Sequence, residues 1–342
     1  MKEFYIIEKF FKSLTPHSSN NPNIDRRSLL DDTASLSLKP DEELIISKDI
    51  FVENIHFKLS DKPKNIAYKL LATNLSDIAS SGAKPIAYCL GFGKNNKTNE
   101  KFLKEFCQGL QLFHDKYSLT LIGGDTVNSK TIFFSITIFA IAKKKQILSR
   151  LNAKENDLIF VSETVGDAGI GLHLLSKKNN NYQDLVFRHL QPTPRIELGM
   201  SLIKEKLSKC ACDISDGLLA DLDKICKASQ LKAEIFFEKI PFSKSAQKFL
   251  KDHPHCNPLK LLNSGDDYEL IFSVNKNNHQ KVLDLGKKLK LNLTCIGEFK
   301  KSKIINNCKV FLFKNNDNQS KKTKSNQNKL KLIKINKLGY EH

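Results

Sequence analysis

Apolar residues recur along this chain at two spacings, and the switches between them predict alternating helices and strands. Over 65–81, Ile66, Ala67, Leu70, Leu71, Leu75 and Ile78 form one helical stripe that Gly82 and Pro85 terminate. Phe102, Phe106, Leu110, Phe113 and Tyr117 hold the same register over 100–117. A short helix over 3–13 is expected to gather Phe4, Ile7, Phe10 and Phe11 on one side, and another helix covers 278–289. Strand spacing marks 43–49, which closes on Asp49, and a second strand over 50–57 that carries His56. Further strands are predicted at 86–92, 119–126, 158–162, 233–237, 269–274 and 292–298. Over 131–142, Phe134, Ile136, Ile138 and Ala140 alternate with Phe133, Ser135, Thr137 and Phe139, so both faces of that strand are largely apolar.

Polar stretches divide the chain. The segment 150–157 lacks a core pattern and sets a boundary between an N-terminal domain, 1–149, and a C-terminal domain, 150–312. Residues 14–28 are expected to form a mobile loop, and 313–342 a Lys/Asn-rich tail that is disordered over 314–328. Alternation over 329–338 suggests that the end of the tail returns to the body.

The most informative stretch runs from Cys210 to Leu222. A short apolar strand ends at Asp213, and Leu218, Leu219, Leu222, Ile225 and Cys226 then open a helix. Ser215 and Asp216 are residues that cap helix starts, so capping accounts for them as well as metal binding does. Asp213 is different. A carboxylate at a strand's buried end is costly unless a cation or donor meets it. Elsewhere Leu119–Thr126 carries Gly123-Gly124-Asp125, Asp31-Asp32 form an acidic turn, and Asp77 borders the apolar stripe of its helix beside Asn74. The turn Thr164–Gly171 resembles a phosphate cradle but lacks the dinucleotide and P-loop fingerprints.

Bulk properties narrow the classes. At 342 residues with 40% hydrophobic content, two cores are affordable. The net charge of +18 comes from Lys spread among Asn without a binding motif, so nucleic acid is a minor reading, while a positive field would gather polyanionic small substrates. Eight cysteines include no Cys-x-x-Cys pair and fit free thiols in a reducing compartment. His253, His255 and Cys256 flank prolines with no second ligand cluster, a poor zinc pattern. The first residues carry Glu3 and Glu8, unlike a signal peptide, and the longest apolar run, 131–142, is too short to span a bilayer. A soluble cytoplasmic protein without a membrane partner is expected.

Carboxylates at Asp31-Asp32, Asp49, Asp77, Asp125, Asp213 and Asp216 would repel one another if they converged, unless hard cations sat between them. Magnesium suits such a set, because it takes one or two carboxylates per ion and leaves places for phosphate oxygens. With Arg150 and glycine-rich turns nearby, phosphoryl transfer from a nucleotide is the implied chemistry. In order along the chain stand Asp-Asp-Thr-Ala at 31–34, Asn-Leu-Ser-Asp-Ile-Ala at 74–79, Gly-Gly-Asp-Thr at 123–126, Gly-Asp-Ala-Gly at 166–169, Asp-Ile-Ser-Asp-Gly at 213–217 and Gly-Asp-Asp-Tyr-Glu-Leu at 265–270. This ordered set resembles the thiamine-monophosphate kinase family, within the superfamily of aminoimidazole ribonucleotide synthase, over roughly 3–310.

The resemblance implies an α/β (α+β) fold of two domains that pairs as a homodimer through its β-rich N-terminal half. It also implies transfer of the ATP γ-phosphate to thiamine monophosphate by direct in-line attack, with no phospho-enzyme and no side-chain nucleophile or base. Carried over by position, Asp32, Ser47, Asp49, Asp77, Asp125, Asp213 and Asp216 would hold several magnesium ions. Gly124, Arg150 and Ser215 would contact ATP, and His56, Asp266 and Tyr340 would border the thiamine phosphate. The chain departs from the family pattern at Ser28-Leu29-Leu30, where Gly-x-Gly is usual, and at Lys48, which stands for Thr beside the metals. Glu163 replaces a glycine, Asp266 a Glu, and Lys337 an aromatic residue. Other ATP-dependent synthases of the superfamily, or a non-catalytic binder, are the alternatives.

Overall fold

Unbroken alternation of β-branched and aromatic residues builds long strands here, and an acidic residue does not interrupt them. In the computed structural model, which describes residues 1–15, 23–24, 29, 31–177, 181–302, 309–315 and 330–333, the chain forms two units. One contains Met1–Ile147 with Leu190–Ile196, the other Leu148–His189 with Glu197–His342.

The first unit holds a four-stranded sheet made of β1 (Glu42–Val52), β2 (Lys84–Lys94), β3 (Thr120–Asn128) and β4 (Phe133–Lys143). Its order is β1-β4-β2-β3, with only β2 and β3 parallel. The expected strands 43–49 and 50–57 are one strand, because no turn residue separates Asp49 from Ile50 and the alternation runs through both. His56 lies in the turn that follows. The helices are α1 (Glu3–Ile6), α2 (Pro63–Ser81) and α3 (Glu100–Tyr117). Gly82 ends α2 at φ 71°, as its C-cap position requires.

One face of this sheet carries fully buried Phe134, Ile136, Ile138 and Ala140, beside Tyr88, Leu90 and Phe92. Phe134 stacks between rings, with centroids 4.3 Å from Phe106 of α3 and 5.0 Å from Phe92. The other face is open: Phe133, Ser135, Thr137 and Phe139 are half-buried and Ile46 and Ile50 exposed. Near the N-terminus, α1 continues as a π-helical turn over Ile7–Phe11. That wider turn brings Ile6, Phe10 and Phe11 inward together and leaves Phe4 83% exposed, against the expected stripe.

The second unit holds a seven-stranded sheet of β5 (Leu158–Ser162), β6 (Ala211–Asp213), β7 (Leu231–Phe236), β8 (Leu270–Val274), β9 (Leu293–Lys301), β10 (Val310–Asn315) and β11 (Leu330–Ile333). The order is β11-β10-β7-β9-β5-β8-β6, and β10–β7 is its parallel pair. Its helices are α4 (Asp167–Ser176), α5 (Gln183–Leu190), α6 (Ile196–Lys204), α7 (Leu218–Ser229), α8 (Lys244–Asp252), α9 (Pro258–Leu261) and α10 (His279–Leu289). The apolar stripe of α7 meets Ile159, Val161, Ile271, Ile296 and Phe299 in one buried cluster, which fixes α7 over the sheet. Within the tail, β11 pairs antiparallel with β10. The expected disorder over 314–328 and most of the loop 14–28 lie outside the described residues, as does Ser28-Leu29-Leu30 apart from Leu29.

The described cysteines are all free thiols, and Cys107, Cys210, Cys212 and Cys226 are buried.

Candidate active site

Strand β6 delivers Asp213 to the sheet's edge almost fully buried, and α7 starts five residues later. The intervening turn is held by a residue the sequence reading passed over. The Oδ2 of Asp221, on the first turns of α7, accepts the backbone N–H groups of Ser215 (3.0 Å), Asp216 (2.9 Å) and Gly217 (3.2 Å). The turn is therefore held from inside the helix, and Ser215 and Asp216 are not helix caps: the N-cap is Gly217, at φ 116°, with no side-chain cap bond. The signal was present as an acid four to six residues after the three amides it serves.

The turn is buttressed by the second acidic motif. Asp266 N donates to Ser215 O (2.9 Å), Tyr268 N to Ile214 O (2.8 Å), and Ile214 N to Glu269 O (2.8 Å). A Cβ on Gly265 would lie 2.2 Å from Ser215 O, so this contact between backbones needs glycine. Asp266 and Tyr268 sit at φ 70° and 51°, conformations that non-glycine residues adopt at a cost of about 1 kcal/mol or more. This twist sends Asp267 and Glu269 inward and leaves Asp266 partly exposed. Its carboxylate accepts from Tyr268 OH (2.9 Å), and its other oxygen is 3.5 Å from His189 Nδ1.

The inward pair explains the glycine-rich turn at 164–171. Asp267 accepts from Gly166 N (2.6 Å) and Ala168 N (3.2 Å) at the start of α4. The chain's own carboxylate thus fills the cradle where a phosphate would bind. Burial pushes Asp267 up to about 8, and its two amide bonds pull the other way. Glu269, fully buried, accepts from Ser162 Oγ and Arg188 Nη2 (2.5 Å each). Nearby, Arg150 begins a short 3-10 turn and donates Nε to Cys212 Sγ (3.1 Å). Desolvation opposes its charge, but Cys212, Asp213 and Asp221 hold the guanidinium above its ordinary value.

In the first unit, Ser47 Oγ donates to the Asp77 carboxylate, joining β1 to α2. Asp49 stands beside them: burial first, then the charge of Asp77, pushes it up to about 6, while Thr73 pulls it down by hydrogen bonding. Lys48 points to the opposite face, where it donates to Ser135 Oγ (2.7 Å), so it does not stand beside these acids. Cross-strand register puts Asp49, Ile136, Leu90 and Gly124 on the helix side and Ile50, Ser135, Gly91 and Asp125 on the open side. Within this unit Asp125 is therefore not brought onto the face of Asp49 and Asp77. Gly124 is backed by Leu90 O, 2.1 Å from where a Cβ would be.

Asp32 is exposed in its turn, and His56 Nδ1 accepts from Val52 N (3.1 Å) with its ring stacked on Phe51. Tyr340 and Lys337 lie outside the described residues. Among the described residues no three His, Cys, Asp or Glu side chains stand together as a ready metal cage. The arrangement consists of smaller groups: Ser47–Asp49–Asp77 in one unit, and the Asp213–Gly217 turn with Arg150 in the other.

These two α/β units, with strand-borne acids and a carboxylate-clamped turn, correspond to a two-domain class. Residues 30–143 match the AIR synthase related protein, N-terminal domain, and 154–306 its C-terminal domain. The chain is 38% identical over 300 residues to the thiamine-monophosphate kinase of Buchnera aphidicola subsp. Acyrthosiphon pisum (strain APS), covering 86% of this chain and 90% of that one. It is 32% identical over 318 residues to that of Bacillus subtilis (strain 168), covering 89% and 94%. The crystal structure of thiamine-monophosphate kinase from Stenotrophomonas maltophilia K279a superposes with a TM-score of 0.79 at 30% identity, over 91% of this chain and 96% of that one. A structure described as AaThiL complexed with AMPPCP and TMP gives a TM-score of 0.72 at 25% identity, over 91% and 93%. The chain belongs to the thiamine-monophosphate kinase family and is an enzyme, a kinase.

Proposed function

We propose that this enzyme phosphorylates thiamine monophosphate with ATP, giving thiamine diphosphate and ADP. The observation that carries the reading is the match to thiamine-monophosphate kinases over nearly the whole of both chains, with the acidic motifs intact in this one.

The donor set fits magnesium. Every candidate ligand is an oxygen: Asp32, Ser47, Asp49, Asp77, Asp125, Asp213 and Asp216. Burial, and after it the charge of Asp77, pushes Asp49 up to about 6, and a hard cation would offset both. Bound magnesium would supply charge neutralisation at the phosphates. The protein's own groups do the rest. Arg150 keeps its terminal guanidinium nitrogens for a phosphate while Nε rests on Cys212, and Ser215 offers its hydroxyl from a clamped turn. Gly124, packed with no Cβ against Leu90 O of β2, offers the nucleotide its backbone on the edge strand β3. His56 in the first unit and Asp266 in the second are the residues offered to the acceptor. The acceptor phosphate attacks in line, so positioning replaces a general base.

A homodimer formed through the N-terminal sheet, whose open face carries exposed Ile46 and Ile50, belongs to the same reading. So does a cytoplasmic setting, where ATP and phosphorylated metabolites are at hand. Incubation with ATP, magnesium and thiamine monophosphate, followed by detection of thiamine diphosphate, tests the proposal. Asp213→Asn is expected to abolish turnover at ordinary magnesium concentrations. ATP binding without product, or an unchanged rate in that variant, would count against it.

A further inference from the structure

Asp216 is offered as a metal ligand, yet its carboxylate already has a cation. Lys224, two turns into α7, donates to Asp216 Oδ2 and to Asp221 Oδ1, the latter at 2.7 Å. We propose that the Lys224 ammonium is the resident counter-ion of Asp216, that a divalent cation must displace it, and that it thereby sets the cation concentration at which this half of the site loads. The proposal rests on the magnesium reading above.

The three side chains differ in freedom, and that difference makes the arrangement switchable. Asp221 is fully buried and its Oδ2 is committed to three amides, so it cannot follow a ligand. Asp216 keeps its backbone N–H on Asp221 while its side chain is 29% exposed and can rotate. Lys224 is 36% exposed on a flexible four-carbon stem. A divalent ion on Asp216 would place positive charge against the ammonium across one carboxylate, a repulsion of several RT even at partly exposed positions. Lys224 can withdraw to Asp221 alone and still neutralise the buried acid. The turn therefore keeps its anchor when Asp216 changes partner.

This role predicts a sign opposite to that of a structural strut. Were Lys224 merely stiffening the turn, removing its charge would loosen Asp216 and weaken metal binding. As a competitor, its removal must strengthen binding. Titration of the full chain with Mn2+ alone, without nucleotide and followed by electron paramagnetic resonance, separates the two. We expect Lys224→Gln, which keeps a donor for Asp221, to bind Mn2+ about tenfold tighter than the parent. Lys224→Met should move the same way, and Lys224→Arg should stay within twofold. The gain should vanish when Asp216→Asn is added. Unchanged or weaker binding in folded Lys224→Gln and Lys224→Met overturns the proposal, and so does loss of the fold in both, which would make Lys224 structural. If Asp216→Asn abolishes parent binding while Lys224→Gln fails to tighten it, the counter-ion role alone falls. If Asp216→Asn leaves parent binding untouched, the magnesium reading of Asp216 falls first and takes the proposal with it.

Discussion

Asp221 makes the strongest claim on a single side chain. Asp221→Ala would strip three amides of their acceptor and leave Lys224 facing Asp216 alone. Breaking a buried charge network of this kind costs about 3–5 kcal/mol, which urea denaturation would read; a loss below about 1 kcal/mol would refute the clamp. Glu163 poses the opposite case. It occupies φ 47° where the family pattern has glycine, yet its carboxylate accepts from Asn292 N (2.8 Å). Glu163→Gly removes roughly 1 kcal/mol of strain and one partly exposed bond of similar worth, so its stability should stay within about 1 kcal/mol of the parent. Asp49 carries a pH dependence. Its folded pKa, about 6, lies above the ordinary carboxylate value, so in the metal-free protein its contribution to stability is present at low pH and is lost as pH rises from about 4 through 6. A bound cation favours the ionised form instead. Magnesium should therefore raise the melting temperature more at pH 7.5 than at pH 5.5, as scanning calorimetry would show; equal shifts would dissociate Asp49 from the metal.

Among the elements, α2 and α3 follow their local signals closely. Asn99 Oδ1 accepts from Phe102 N (2.9 Å) at the start of α3, and Asn99→Ala should cost about 1 kcal/mol in chemical denaturation. The strands obey a longer range. Asp49 and Asp125 read as acids at strand ends, but both lie inside strands whose partners continue past them. A charged residue does not break strand pairing, since its side chain leaves the plane of the sheet while the backbone keeps its ladder bonds. Among the acids placed at strand ends, Asp213 does terminate its strand, because β6 is only three residues long and the clamped turn follows at once.

For the whole molecule, the charge of +18 has a kinetic expression. A field of that size would gather ATP and the phosphorylated acceptor proposed above, and salt would screen it over about 8 Å at physiological ionic strength. The apparent KM for ATP should rise several-fold between low and high potassium chloride, with kcat changing less. A KM independent of salt would show that the surface lysines play no part in capture.

The extents of α2, α3 and α10, the α/β class and the ordered acidic motifs were legible in the chain itself, because they depend on spacing and on neighbours a few residues away. Gly82 and the stripe over 65–81 declare their element without help. What only the folded molecule decided was which face and which partner each polar group takes. That Lys48 turns away from Asp49 and that Asp267 fills the glycine-rich cradle from 101 residues away depend on tertiary contacts, and that Asp221 holds the turn before α7 depends on how that turn folds back on the helix. Spacing fixes a side chain's period along its own element. The energy of a buried charge, however, is set by whatever the rest of the chain brings within hydrogen-bonding distance.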